Sequence, residues 1–288
     1  MKVLRTLASA VAVALLAIAG NGSLAKPSQN AAPIVAAERE FAAYAGENGW
    51  ISAFRTYSAP DGVVISNGQI RNARALFNAR PESGSRTLTW WPAVALISRS
   101  GDLGFTSGPY AVDDTGQIQG QYFTVWKLQP NGHWRWIFDG GTGTEEPVSI
   151  PHEGAVAEFK TSANRRTTVK SALAKVTALE AKHNSAGLLI PLLAKNARIL
   201  RPDRPPAIGA SAEREMAYPS PAIAYDRAEQ IFASKAGDIV FTLGTAHWKR
   251  PSGDSLKGHF ARVWQAKPEG WRIVFDELLP APPASPAS

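Results

Sequence analysis

The sequence predicts an α+β fold built twice, on three observations. Segments with helical periodicity come first and a run of strand-like segments follows, and this order then repeats. Ser98-Arg99-Ser100-Gly101-Asp102-Leu103-Gly104-Phe105-Thr106 returns as Ala233-Ser234-Lys235-Ala236-Gly237-Asp238-Ile239-Val240-Phe241-Thr242, and Gly120-Gln121-Tyr122-Phe123-Thr124-Val125-Trp126 returns as Gly258-His259-Phe260-Ala261-Arg262-Val263-Trp264. Trp134-Arg135-Trp136-Ile137-Phe138-Asp139 returns as Trp271-Arg272-Ile273-Val274-Phe275-Asp276. The three offsets differ by only a residue or two. Each is far longer than the roughly 20 to 50 residues of a solenoid unit, so the repeating element is a whole small domain.

The elements follow in order. Ile34, Ala37, Phe41 and Ala45 recur at helical spacing, and Trp50, Phe54 and Tyr57 mark a second short helix that ends at Pro60-Asp61-Gly62. Val63-Val64-Ile65 reads as a strand and 71–80 as a third helix. Strands are expected at 93–97, 103–110, 120–128 and 133–138, separated by turn signals at Ser100-Gly101-Asp102, Asp114-Thr115-Gly116 and Pro130-Asn131-Gly132. In the second copy, Val169, Leu173, Val176 and Leu179 share a helical face. A short segment at 188–193, a strand at 197–200 and a helix at 212–216 follow, then strands at 228–233, 238–248, 256–265 and 271–275.

Composition narrows the classes. Lys2 and Arg5, an apolar run from Leu7 to Gly20 and Ser23-Leu24-Ala25 read as a secretory signal peptide over 1–25, cleaved after Ala25. The run is shorter than the roughly 18 to 20 residues that span a bilayer, so no stable membrane anchor is expected after cleavage. With no cysteine in the chain, disulfides, cysteine metal sites and thiol nucleophiles are excluded. These features together predict a periplasmic or secreted protein. The formal charge of +7 is scattered, with no basic run longer than a pair such as Arg165-Arg166, so no nucleic-acid groove is expected. The expected layout is a first domain at 35–140, a linker at 141–167, a second domain at 168–278 and a disordered tail at 279–288.

The first copy carries Trp91-Pro92, Ser98-x-x-Gly101-Asp102-Leu103-Gly104-Phe105-Thr106-x-Gly108-x-Tyr110, Gly120-x-Tyr122-x-x-Val125-Trp126 and Gly132-x-Trp134-x-x-x-x-Asp139. This set resembles the DUF4440 branch of the SnoaL-like, NTF2-like superfamily. The second copy keeps Gly237-Asp238, Gly258, Trp264, Trp271 and Asp276 and lacks the Trp-Pro pair and the tyrosine. The resemblance implies two cystatin-like cones, each with helices packed on a curved antiparallel sheet and a pocket at its open end. It also implies pairing sheet to sheet, as an intramolecular pseudo-dimer or a homo-oligomer. The superfamily includes isomerases, cyclases, dehydratases and non-catalytic binding domains, so the fold does not choose a function.

Strict alternation along the last strand places Trp134, Trp136 and Phe138 on one face and Arg135, Ile137 and Asp139 on the other. If the second face lines a pocket, Asp139 becomes a general base in apolar walls and Arg135 an anchor for an anionic group, with Arg272 and Asp276 repeating them. The plainer reading puts each pair on the surface at a strand end. Asp102 and Asp238 read as turn residues, and Tyr110, His247 and His259 as strand residues within reach of a pocket. The nine tryptophans suit either an aromatic pocket, with Trp91, Trp126 and Trp136 as candidate walls, or a packed concave face. No His-Glu-x-x-His, Gly-x-Ser-x-Gly, Walker loop or Gly-x-Gly-x-x-Gly occurs, so no metal or cofactor is expected. The reading favoured by these residues is binding of a small, partly apolar molecule. The alternatives are an acid/base isomerase, cyclase or dehydratase using Asp139 with Tyr110 or Arg135, and an envelope interaction module.

Overall fold

The computed structural model describes residues 30–81, 87–113, 117–148, 154–160, 167–249 and 253–282. The signal-peptide segment and the Asp114-Thr115-Gly116 turn lie outside them. The N-terminal half runs α1 (Ala32–Asn48), α2 (Trp50–Tyr57), β1 (Ser58–Ser66), β2 (Gln69–Asn72), α3 (Ala73–Asn78), β3 (Leu88–Trp90), β4 (Val94–Ile97), β5 (Leu103–Val112), β6 (Ile118–Leu128), β7 (Trp134–Val148) and β8 (Ala157–Glu158). The C-terminal half runs α4 (Val169–Lys182), α5 (Ala186–Leu189), β9 (Leu193–Leu200), β10 (Ala207–Ile208), α6 (Ala212–Met216), β11 (Ala224–Tyr225), β12 (Gln230–Ala233), β13 (Ile239–Lys249), β14 (Ser255–Lys267) and β15 (Gly270–Pro280).

The two sheets have the same plan. In the first, β2-β1-β7-β6-β5-β4-β8 is the strand order, with β3 also on β5; in the second it is β10-β9-β15-β14-β13-β11, with β12 also on β13. Each half joins its first strand in parallel to the last strand of its meander, β1 to β7 and β9 to β15, and β8 also lies parallel to β4. The long strands form antiparallel meanders. The sheets are therefore mixed rather than purely antiparallel, because the strand after the helices returns alongside the final strand.

Three expected boundaries move. β7 continues through Gly140 to Val148, and 157–158 add β8 to the first sheet, so much of the expected linker is strand. β15 runs on to Pro280, so the start of the expected tail is strand as well. The expected helix at 71–80 begins only at Ala73, because Asn72 caps it by accepting from the Ala75 N–H at 3.0 Å while Gln69–Asn72 pair with β1.

The decisive local feature is a β-bulge. Val125 pairs with Phe138 but Trp126 pairs with Trp136, leaving Ile137 as an extra residue; Val263 pairs with Phe275 and Trp264 with Ile273, leaving Val274. Trp136 therefore points to the helices while Ile137 and Phe138 both join the core shared between the sheets. The expected alternation is overturned at this point: Phe138 does not share a face with Trp136, and Asp139 lies on the helix side without Ile137.

The opposite faces of the two sheets pack on each other. Phe123 stacks on Phe275 with ring centroids 4.2 Å apart, Phe105 lies 5.0 Å from Phe275, and Phe138 lies 5.5 Å from Phe241. These contacts join both halves in one hydrophobic cluster. The turns beside the rings interlock reciprocally. Asp102 accepts the Lys235 N–H at 3.1 Å and Asp238 accepts the Arg99 N–H at 2.9 Å, while each also accepts from a serine of its own turn. Both aspartates are thus turn residues and also fasteners between the halves.

Candidate functional site

The helix side of each sheet is organised around a buried glutamate. In the first half, α1 presents Ile34, Glu38, Phe41 and Ala45 along one stripe, and Glu38 is fully buried with the rest. Its carboxylate accepts from Trp90 Nε1 at 2.6 Å, from Trp126 Nε1 at 2.9 Å and from the Thr106 hydroxyl. Phe41 lies one turn on, its ring centroid 4.8 Å from that of Trp90 and 5.0 Å from that of Phe54. In the second half, α4 supplies Glu180, which accepts from the Thr242 hydroxyl at 2.7 Å and Trp264 Nε1 at 2.9 Å.

The halves diverge at the residue opposite the aspartate of the last strand. Asp139 pairs across the ladder with Thr124, whose hydroxyl donates to it at 2.7 Å. Asp276 pairs with Arg262, which donates at 2.6 Å, and Arg201 reaches its other oxygen at 2.8 Å. Arg262 also donates to Glu180 at 3.2 Å, so the second half holds a buried network of two arginines and two carboxylates. The first half has no cation at the matching position. Burial therefore pushes the Asp139 carboxyl well above the usual carboxylate range, against the Thr124 hydrogen bond and with the help of the nearby Glu38 charge. Burial likewise raises Glu38 to about 6, opposed by its hydrogen-bond donors.

Asp139 opens onto a small cleft of about 190 Å³ in the first half, walled by Phe41, Phe54, Trp90, Tyr110 and Tyr122 and floored by Gly140. Tyr122 is buried, and burial raises its pKa well above that of a free tyrosine, opposed by Thr106. Tyr110 is partly buried and raised in the same way. Gly140 lies close to the other half: a Cβ there would come 2.9 Å from the Glu277 carboxylate. Glu277 is fully buried with neither oxygen bonded within the protein, and burial raises it well above the carboxylate range.

The expected site residues sort accordingly. Tyr110 and Asp139 line the cleft, and Trp126 and Trp136 stand behind it as fully buried core. Trp91 is not a lining residue; its carbonyl instead lies against Gly108, leaving no room for a Cβ there. Arg135 lies over the Tyr57 ring at 5.4 Å and donates to the Trp134 carbonyl, and Arg272 repeats the contact with the Trp271 carbonyl. The bulge separates both arginines from the aspartates that sequence spacing grouped with them. Asp276 belongs to the arginine network, and His259 is a buried strand residue whose pKa burial lowers. His247 pairs with Asp226 at the surface. Among the described residues no group of three or more metal-ligating side chains forms. Glu38, Tyr122, Arg201 and Arg262 were not among the expected site residues. The signal for Glu38 was its position on the apolar stripe of α1, and that for Arg262 was its replacement of Thr124 within a repeated block.

Three raised carboxyls set a pH dependence of stability. A carboxyl whose pKa is higher folded than unfolded stabilises the fold fully below its unfolded pKa, and the contribution is lost as pH rises through the folded value. Glu38 thus accounts for about 2 kcal/mol lost between about pH 4.5 and pH 6, with Asp139 and Glu277 extending the decline to higher pH. Thermal melts followed by circular dichroism should show a melting temperature that falls from pH 5 to pH 8, less steeply in Asp139→Asn. A flat or rising profile would refute the assignment.

Among protein families, no family model matches the chain, and no curated protein matches it. Solved structures do show similarity to it. One is an NTF2-like protein with a cystatin-like fold from Novosphingobium aromaticivorans, at 17% identity and a TM-score of 0.30 over 40% of this chain and 86% of that one. Another is described as a putative ketosteroid isomerase from Parabacteroides distasonis, at 13% identity and a TM-score of 0.31 over 38% of this chain and 88% of that one. A third is a Mycobacterium tuberculosis protein in complex with estradiol-17β-hemisuccinate, at 14% identity and a TM-score of 0.29 over 38% of this chain and 93% of that one.

Proposed function

We propose that the chain is an exported tandem protein of the DUF4440-like, NTF2-like kind whose first half binds a small, partly apolar molecule. The observation that carries this reading is Asp139 in the aromatic cleft. Raised by burial above the usual carboxylate range and facing Thr124 rather than an arginine, its protonated form offers an O–H donor in apolar walls. The ligand class that fits is a single-ring or comparably small molecule bearing a carbonyl or ether oxygen. Its ring would sit among Phe41, Phe54 and Trp90 and its oxygen would accept from Asp139.

Binding is favoured over acid/base catalysis by the same geometry. Asp139 is the one carboxyl among the residues that line the cleft. Glu38, the nearest second carboxylate on the helix side, already accepts from three side chains and does not line the cleft. The two halves, with matching sheets and stacked faces, pair within the chain, and Glu277 of the second half lies next to Gly140 behind the cleft.

Acetophenone, titrated by ligand-observed NMR, is a suitable probe. Asp139→Asn, which keeps an N–H donor, should bind within about threefold of the parent, whereas Asp139→Ala should lose about tenfold or more, about 1.4 kcal/mol. Equal binding by the parent and Asp139→Ala would remove Asp139 from the site.

A further inference from the structure

The seam between the two sheets changes character along its length. At one end it is aromatic, with Phe123 stacked on Phe275 and Phe105, Phe138 and Phe241 around them. At the other end it turns polar. Gly140 and Thr142 follow Phe138 on the seam face of β7, Glu277 follows Phe275 on that of β15, and His259 of β14 pairs across the ladder with Leu279. Both Glu277 oxygens, Thr142 Oγ1 and His259 Nδ1 are buried there without a hydrogen-bond partner in the protein. Gly140 permits the approach, since its missing Cβ leaves room for Glu277 Oε2. At the rim the Asp203 N–H donates across the seam to the Gly143 carbonyl at 3.0 Å.

The charged and titratable groups around Glu277 are Asp276 beside it, Asp139 of β7, Tyr110 of β5, His259 of β14 and Arg201 after β9. Arg198 of β9 lies level with Phe275, toward the aromatic end, and Asp203 is exposed at the rim. Arg201 is bound to Asp276 at 2.8 Å, so Glu277 has two carboxyl neighbours and no donor of its own. An ionised carboxylate in that position is costly unless water reaches it, whereas a protonated one is tolerated. We propose that Glu277 is a pH-operated latch on the seam: protonated, it lets the polar end close, and ionised, it opens that end to water while the aromatic end stays stacked. The opening loosens β7 at Gly140, which the seam shares with the aromatic cleft, and it requires no ligand in that cleft.

Thiol labelling of the whole protein tests this, because the chain has no cysteine of its own. Thr142→Cys places a thiol at the polar end of the seam and Val125→Cys one at the aromatic end, both at buried positions. Each is labelled with a methanethiosulfonate reagent from about pH 5 to about pH 9, and the rates are corrected for the thiolate fraction of an exposed cysteine. A carboxyl that is ordinary in the open seam and raised in the closed one makes opening about tenfold more frequent per pH unit between its two pKa values. Thr142→Cys labelling should rise at that rate, and Val125→Cys should label at least about tenfold more slowly, as expected of a local opening. Adding Glu277→Gln, or Glu277→Met where the first folds poorly, should abolish the rise, and adding Asp139→Asn should preserve it. The proposal is overturned if Thr142→Cys shows no rise, if the rise survives replacement of Glu277 or disappears with Asp139→Asn, or if both thiols label together.

Discussion

Replacing Asp276 with alanine should destabilise the protein by about 3–5 kcal/mol, the largest effect expected of any single polar substitution here. Asp276 is fully buried and is the shared partner of Arg201 at 2.8 Å and Arg262 at 2.6 Å. Both arginines are themselves buried, and neither can shed its charge by losing a proton. Removing the carboxylate leaves two guanidinium groups with Glu180 as the remaining anion of the network. Urea denaturation followed by circular dichroism should show a much lower midpoint, or no folded baseline. At the matching position in the first half, Asp139→Ala removes one hydrogen bond from Thr124 and a neutral carboxyl, so its cost should be far smaller. The contrast between two aspartates at equivalent places in the two sheets is the sharpest check on the claim that one is held by two arginines and the other by a threonine hydroxyl. Equal losses from both substitutions would mean that the difference between Thr124 and Arg262 does not govern what each aspartate contributes.

Glu38→Ala should cost about 3 kcal/mol or more, the second large effect. The substitution strands the indole N–H groups of Trp90 and Trp126 and the hydroxyl of Thr106 in the most aromatic part of the molecule, and each buried unpaired donor costs about 1–3 kcal/mol. Relaxation of the cavity and the Trp126–Thr106 contact at 2.9 Å offset part of that sum. Glu38→Gln should cost less, because one oxygen survives as an acceptor while the amide nitrogen turns a donor toward other donors. The order alanine worse than glutamine worse than parent, read from the same denaturation curves, is the expected result. A neutral Glu38→Ala would show that the carboxylate does not organise the helix side of the sheet.

Much of the architecture was legible because it was written twice. The blocks around Gly101-Asp102, Gly120 and Trp134 recur with their spacing intact, and each copy placed its long strands where the sheets have them. What failed was the arithmetic of faces. One extra residue at Ile137, and another at Val274, reset the alternation and sent Arg135 and Asp139 to different environments. No periodicity rule announces a bulge of this kind, since the flanking residues are apolar on both faces. The short pairings of β3, β8, β10 and β11 also escaped, because two or three residues carry no pattern. Glu38 sat in view on the apolar stripe of α1, yet a charged residue followed by Arg39 and Glu40 reads as a solvated face until Trp90 and Trp126 arrive from the sheet. Arg262 was the clearer lost signal, an arginine at the one central position of a repeated strand where the other copy has threonine.

The most direct test of the central claim, a neutral Asp139 donor in the aromatic cleft, is a carboxyl carbon-13 NMR titration of the folded protein from about pH 4 to pH 9, with Asp139→Asn used to assign the resonance. The account predicts that the Asp139 carboxyl stays protonated well above the pH at which an ordinary aspartate ionises. An Asp139 signal that titrates near the ordinary aspartate value of 3.8 would contradict it, and with it the proposed mode of ligand binding.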